Sequence, residues 1–120
     1  MNFLAHLLLA GDDEALRLGA MLGDFVRGRA ALAAFAPEVR RGILLHRHID
    51  AHIDGLPETA ALRGWFPTRF RRYAGIVIDL AIDHELARRW SEHHARPLAE
   101  FDADVRRMLA RHESIVPDRL

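Results

Sequence analysis

The chain contains neither cysteine nor lysine in its 120 residues. Without cysteine there is no disulfide, no thiolate ligand and no cysteine nucleophile, so any metal chemistry must use histidine and carboxylate. Without lysine, all 17 positive charges are arginine. Its planar fork grips carboxylate or phosphate, although a GC-rich genome produces the same bias with no functional meaning. Net charge is missing too, since 17 basic residues face 17 acidic ones. The chain therefore lacks the cationic field that commits a small protein to nucleic acid or an anionic membrane. Nor is there an apolar run of the roughly 18 residues that a bilayer span needs. The opening Met1–Ala10 has no basic lead, carries His6, and is stopped by Gly11-Asp12-Asp13-Glu14, which is unlike a signal peptide. These absences point to a cytoplasmic protein with no nucleic-acid partner and no membrane span.

What is present is half hydrophobic and 28% charged, the composition of one domain over residues 1–120. Glycine and proline fall singly where helices would start or stop. Asn2 to Ala10 forms a first segment ended by Gly11. Asp12 or Asp13 then caps a helix through Ala15, Leu18, Met21, Leu22, Phe25 and Val26, stopped near Gly28. Pro37 opens a helix from Glu38 to Asp54 with the stripe Leu45, Ile49, Ile53 and Leu56, ended by Gly55. Pro57 opens a short piece, and Pro67 starts a long segment from Arg69 to about His94. Within it, residues 75–83 are apolar on nearly all sides and read as a buried central helix, with a buried strand as the alternative. Leu98 to about His112 is the last helix. The fold class is all-α.

Several charges sit against their own interest. Asp24 lies in Met21-Leu22-Gly23-Asp24-Phe25-Val26, and Asp79 and Asp83 lie in the most apolar helix. At i and i+4 the latter pair is about 6 Å apart, so at an effective dielectric near 20 the repulsion is about 3 kcal/mol before desolvation. An arginine from Arg69, Arg71 and Arg72, a shared proton or a divalent cation would resolve it, and the adjacent His84 favours the cation. His46 and Asp50 also stand at i and i+4, as do His48 and His52 on the opposite flank, so one pair faces a site and the other solvent. We assign His46 with Asp50 to the site. Asn2 and His6 repeat the spacing; His6 is either a hydrogen-bonded core histidine or a ligand. His93, His94 and His112 read as solvated. Gly19 and Gly23 read as close-packing positions that also leave room beside Asp24. Such nitrogen and oxygen donors suit Mn²⁺, Mg²⁺ or Fe²⁺ better than structural Zn²⁺, and imply a metal-dependent phosphoester hydrolase.

Met1-Asn2-Phe3-Leu4-Ala5-His6-Leu7, Asp24-Phe25-Val26-Arg27-Gly28, His46-Arg47-His48-Ile49-Asp50, Asp83-His84 and Trp90-Ser91, in this order, resemble the acyl carrier protein phosphodiesterases. The resemblance implies a divergent HD-type metal-dependent phosphohydrolase with a compact all-α bundle and a preference for Mn²⁺. The implied reaction is hydrolysis of the phosphodiester joining 4′-phosphopantetheine to a serine of acyl carrier protein, within fatty acid biosynthesis. By the same resemblance Asp24, His46, Asp50 and Asp83 are metal ligands, Asp24 also being catalytic. His84 or His6 would protonate the departing serine oxygen, and Arg27 or Arg47 would clamp a phosphoryl oxygen. Family members are expected to continue beyond Leu120, so the chain reads as C-terminally shortened. Two rival readings stand beside this one: an HD-type hydrolase of a nucleotide or other small phosphoester, and a non-catalytic arginine-rich helical module that binds an acidic protein.

Overall fold

The computed structural model describes residues 3–118. Over that span the protein is all-α. Helices α1 (Phe3–Leu9), α2 (Glu14–Leu22), α3 (Gly28–Leu32), α4 (Pro37–Asp54), α5 (Pro57–Gly64), α6 (Ala74–Arg88) and α7 (Leu98–Arg111) are joined by short turns, with no strand among the described residues. Three of those turns are 3₁₀, at Gly23–Phe25, Thr68–Tyr73 and Trp90–Glu92.

Local chemistry sets the boundaries. The Asp13 side chain accepts from the Leu16 N–H at 3.0 Å and caps α2. Pro37 and Pro57 occupy first helical turns, where a missing N–H costs nothing. Gly11 ends the first turn region at φ +72° and Gly28 opens α3 at φ +74°, a backbone conformation that side chains oppose. Helices α2 and α4 cross where a β-carbon on Gly19 would lie 2.5 Å from the Gly42 backbone. That contact draws Leu18, Leu22 and Ile43 into one core with Trp90, Phe101, Val105 and Met108. The Trp90 indole N–H donates to the Arg96 carbonyl at 2.8 Å, so its burial leaves no polar group unpaired.

Three expectations need correction. The helix expected to run to Val26 stops at Leu22, because the chain tightens to 3₁₀ at Gly23 and restarts as α3. On α4 the stripe Leu45, Ile49, Ile53 and Leu56 is only half-buried; the fully buried line is Gly42, Ile43 and His46. The close approach at Gly42 rotates the buried face toward the glycine and the histidine. Helix α6 forms, but it is not a buried central helix. Only Ala74 and Ile78 are buried, while Ile76 is 58% and Leu80 61% exposed. One face packs on α1 and α5, and the other apolar face has no partner among the described residues. The radius of gyration, 15.3 Å, exceeds the roughly 13.6 Å expected for 120 residues, as such a projecting edge requires. No described helix is long and apolar enough to cross a membrane.

Candidate metal centre

His6 on α1 and His46 on α4 stack face to face, with ring centroids 3.7 Å apart and planes 11° off parallel. Both are buried, at 1% and 2% exposure. Gly23 makes the space: a β-carbon there would fall 2.2 Å from His46 Cγ. Asp50, one turn beyond His46, accepts from His6 Nε2 at 2.9 Å through Oδ1 and meets His46 Nε2 at 3.2 Å through Oδ2. Asp24, in the 3₁₀ turn after α2, places Oδ1 3.2 Å from the same His46 nitrogen. One nitrogen from each histidine and an oxygen of Asp50 lie within 4.8 Å of one another, the arrangement of a metal-ligand group. Three elements distant in sequence, α1, the 3₁₀ turn at Gly23–Phe25 and α4, thus deliver imidazole and carboxylate to one place.

Hydrogen bonding constrains what this cluster holds. His46 Nδ1 lies 2.9 Å from the Ala20 carbonyl. A carbonyl only accepts, so Nδ1 carries the hydrogen and donates, which turns the Nε2 lone pair toward the carboxylates in the neutral ring. A hydrogen bond from the far ring nitrogen to a carbonyl is the usual device for orienting a metal-bound histidine. Burial first, and then the neighbouring His46, lowers the His6 pKa below the ordinary histidine value, which favours the neutral ring a metal requires. Asp24 Oδ2 and His6 Nδ1 are buried without a hydrogen-bond partner. A lone pair and two carboxylates facing one another, with a buried carboxylate oxygen unpaired, suit a divalent cation with oxygen and imidazole ligands.

The remaining predicted residues fall elsewhere. Asp83 does not join the cluster: its two oxygens accept the Leu4 and Ala5 N–H groups at 3.1 and 3.2 Å. The positive partner that the sequence demanded for it is therefore supplied by the first turn of α1. Burial raises its carboxyl above the usual carboxylate range, partly opposed by those two donors. In this position Asp83 seats the helix that carries His6. Arg47, expected as a phosphate clamp, donates to the Val26 and Gly28 carbonyls at 2.9 and 3.2 Å. It braces the turn that carries Asp24. Arg27 is exposed at the end of that turn, and His84 is exposed on α6 with no hydrogen bond or ion pair to the cluster. His6, expected as a hydrogen-bonded core histidine, a ligand or a proton donor, sits in the cluster with His46 and Asp50. Asn2 lies outside the described residues. His48 and His52 are exposed, as assigned. His94 is not simply solvated, since it stacks on Trp90 at 5.2 Å. The glycine that sequence reasoning missed is Gly42; a partner for Gly19 on the facing helix was the signal available.

The acyl carrier protein phosphodiesterase family profile matches residues 1–120. The acyl carrier protein phosphodiesterases of Escherichia coli strains HS and SMS-3-5 are each 44% identical to the chain over 119 residues. The alignment covers 98% of this chain and 60% of each relative, so the chain spans about three-fifths of the length of the curated relatives it matches. No solved structure matches it. A profile that runs the full chain, with close to half of all aligned positions identical, makes this protein a member of the acyl carrier protein phosphodiesterase family.

Proposed function

We propose that the protein is a metal-dependent phosphodiesterase, of HD type, that removes the 4′-phosphopantetheine arm from holo-acyl carrier protein in the cytoplasm, as part of fatty acid biosynthesis. The observation that carries this reading is the convergence of His6, His46 and Asp50, with Asp24 against His46, around donors that suit Mn²⁺, with Mg²⁺ or Fe²⁺ as alternatives. The names of the Escherichia coli relatives supply the substrate.

When bound, a divalent ion supplies Lewis acidity, which makes water a nucleophile near neutral pH and offsets charge on the phosphoryl oxygens. The chain's own residues do the rest. Asp24, His46 and Asp50 would hold the ion, with His6 as the further imidazole, and Asp83 fixes α1 so that His6 stays in place. Arg47 braces the turn at Val26 and Gly28, so that the exposed Arg27 presents its paired donors to a non-bridging oxygen. Water adds to phosphorus, the bond to the serine oxygen breaks, and that oxygen takes a proton from His84. The products are apo-carrier and free 4′-phosphopantetheine.

The test is incubation of the chain with holo-carrier and Mn²⁺, read by mass for loss of the arm, beside Asp24→Asn. We expect loss with the parent chain and little with the variant. Turnover of a nucleotide panel with the carrier untouched overturns the substrate. A melting temperature that ignores chelator, with no ion found by elemental analysis, overturns the metal.

A further inference from the structure

The strongest feature outside the metal centre is a groove of about 360 Å³ between α5 and α6, lined by Leu62, Trp65, Phe66, Val77, Ile78 and Ile82 among others. Trp65 in its lining is 81% exposed, and Phe70 and Tyr73, in the 3₁₀ turn that follows, are each 45% exposed. An exposed apolar groove of this size marks an interaction site rather than ordinary surface. The segment that supplies its Leu62, Trp65 and Phe66 wall carries one sign of charge, and Arg71 donates to the Phe66 carbonyl at 3.2 Å. Residues 60–73 contain Arg63, Arg69, Arg71 and Arg72 and no acidic residue. Arg63 reaches Asp54 at 3.5 Å, whereas Arg69, Arg71 and Arg72 have no carboxylate partner among the described residues. Arg69 and Arg72 lie over the rings of Phe70 and Tyr73, each 4.8 Å from the centroid. Glu85, the acid that lines the groove, is taken up by Arg88 at 2.8 Å and Arg89 at 3.5 Å.

We propose that this arginine-bordered groove docks an amphipathic helix of an acidic protein, whose apolar side chains enter the groove while its carboxylates meet Arg69, Arg71 and Arg72. The shape favours a helix ridge, because a concave apolar trough takes side chains spaced at i, i+3 and i+4, whereas a lipid surface is met by a protruding apolar face. The charge opposes a second copy of this chain: a self-complementary contact would bring two sets of unpaired arginines into one interface. If the proposed function holds, the acidic protein is the carrier itself, and this identification rests on that reading.

The probe is a helical peptide with leucines at i, i+3 and i+4 spacing and glutamates between, titrated into the full chain. Trp65 reports on binding through its emission, and Trp65→Phe assigns the signal, since Trp90 is buried. We expect a blue shift, an affinity that falls with salt, and a loss of more than about tenfold in affinity in Arg69→Glu/Arg71→Glu/Arg72→Glu. The exposed pair Arg29→Glu/Arg41→Glu should bind like the parent. An unchanged emission, equal binding of a peptide with lysines for glutamates, dimerisation that buries Trp65, partition onto phosphatidylglycerol vesicles, or displacement of the peptide by the unmatched two-fifths of the Escherichia coli relative would each overturn the assignment. Apo-carrier separates this inference from the catalytic one. If it competes with the peptide while holo-carrier stays intact, the surface stands and the activity falls. If it fails to compete while the peptide binds, the identification of the carrier as the acidic protein is overturned.

Discussion

Gly23→Ala tests whether one missing methyl group makes the metal centre. The new β-carbon would lie 2.2 Å from His46 Cγ and 2.6 Å from Nδ1, against an ordinary carbon–carbon contact of about 3.5–4.0 Å. The ring must move by more than about 1 Å, and it is held at the Ala20 carbonyl and against two carboxylates. Leaving a buried polar group unpaired costs about 1–3 kcal/mol, and overpacking about 1–3 kcal/mol. Alanine returns up to about 1 kcal/mol of chain entropy at this right-handed helical position. The net expectation is a loss of about 1–6 kcal/mol, or roughly 4–30 °C in Tm, together with a fall in Mn²⁺ affinity. The decisive assay is a double-mutant cycle on thermal and urea unfolding. With His46→Ala in the background the ring is gone, and Gly23→Ala should become neutral or stabilising. Equal losses in both backgrounds would refute the reasoning, because the clash would then lie with the backbone.

Mn²⁺ at a hundredfold excess over its Kd should stabilise the fold by about 2.7 kcal/mol, and chelator should reverse the Tm rise; His46→Ala should show neither effect. Asp83→Asn keeps one acceptor for the first turn of α1, so Mn²⁺ affinity should fall by about tenfold through His6, less than for Asp50→Ala; an equal or larger fall would make Asp83 a ligand. At acid pH, hydrogen bonds from Arg111 to Glu14 and from Arg96 to Asp104 hold both carboxyls below the usual range. Their contribution is present above the unfolded carboxylate range near pH 4, and is lost as pH falls through the folded values. Asp83 has the opposite sign, because its neutral form is favoured by folding. Urea midpoints measured against pH should therefore fall less steeply at the acid end in Glu14→Gln than in the parent, and parallel curves would contradict this.

The helix class and most boundaries are legible in the sequence because they are set by local chemistry. Pro37, Pro57 and Gly55 act within one turn, and α4 begins one residue before the expected Glu38. The site histidine is legible for the same reason: His46 and Asp50 share a face at i and i+4. What local pattern does not contain is the direction of that face. The rotation that buries His46 comes from a backbone contact between Gly19 and Gly42, which are distant in sequence. Asp83 shows the same limit. Its cost in an apolar helix was evident, but an ion and a helix terminus relieve that cost equally well, and only the approach of α1 decides between them. Helix α6 was misjudged because uniform apolarity registers burial by any partner, and much of its apolar surface has none among the described residues.

The cluster carries its own cost in the absence of a cation, and that cost separates a metal site from a structural ion pair. His46 Nδ1 is committed to the Ala20 carbonyl, so in the neutral ring its Nε2 lone pair faces Asp24 Oδ1 and Asp50 Oδ2, each at 3.2 Å. Three acceptors then converge with no donor among them. Asp24→Asn turns one acceptor into an amide donor at hydrogen-bond distance from Nε2 and removes a negative charge. If the arrangement exists to bind a cation, the metal-free variant should be more stable than the metal-free parent by about 0.5–1.5 kcal/mol, while the Mn²⁺-dependent rise in Tm shrinks. Stability gained as binding is lost is the behaviour of a site held against its own preference. If the histidine and the carboxylates are instead a structural ion pair, the same substitution removes an attraction, and the metal-free variant should melt below its parent. The two readings predict opposite signs for one melting curve recorded in chelator.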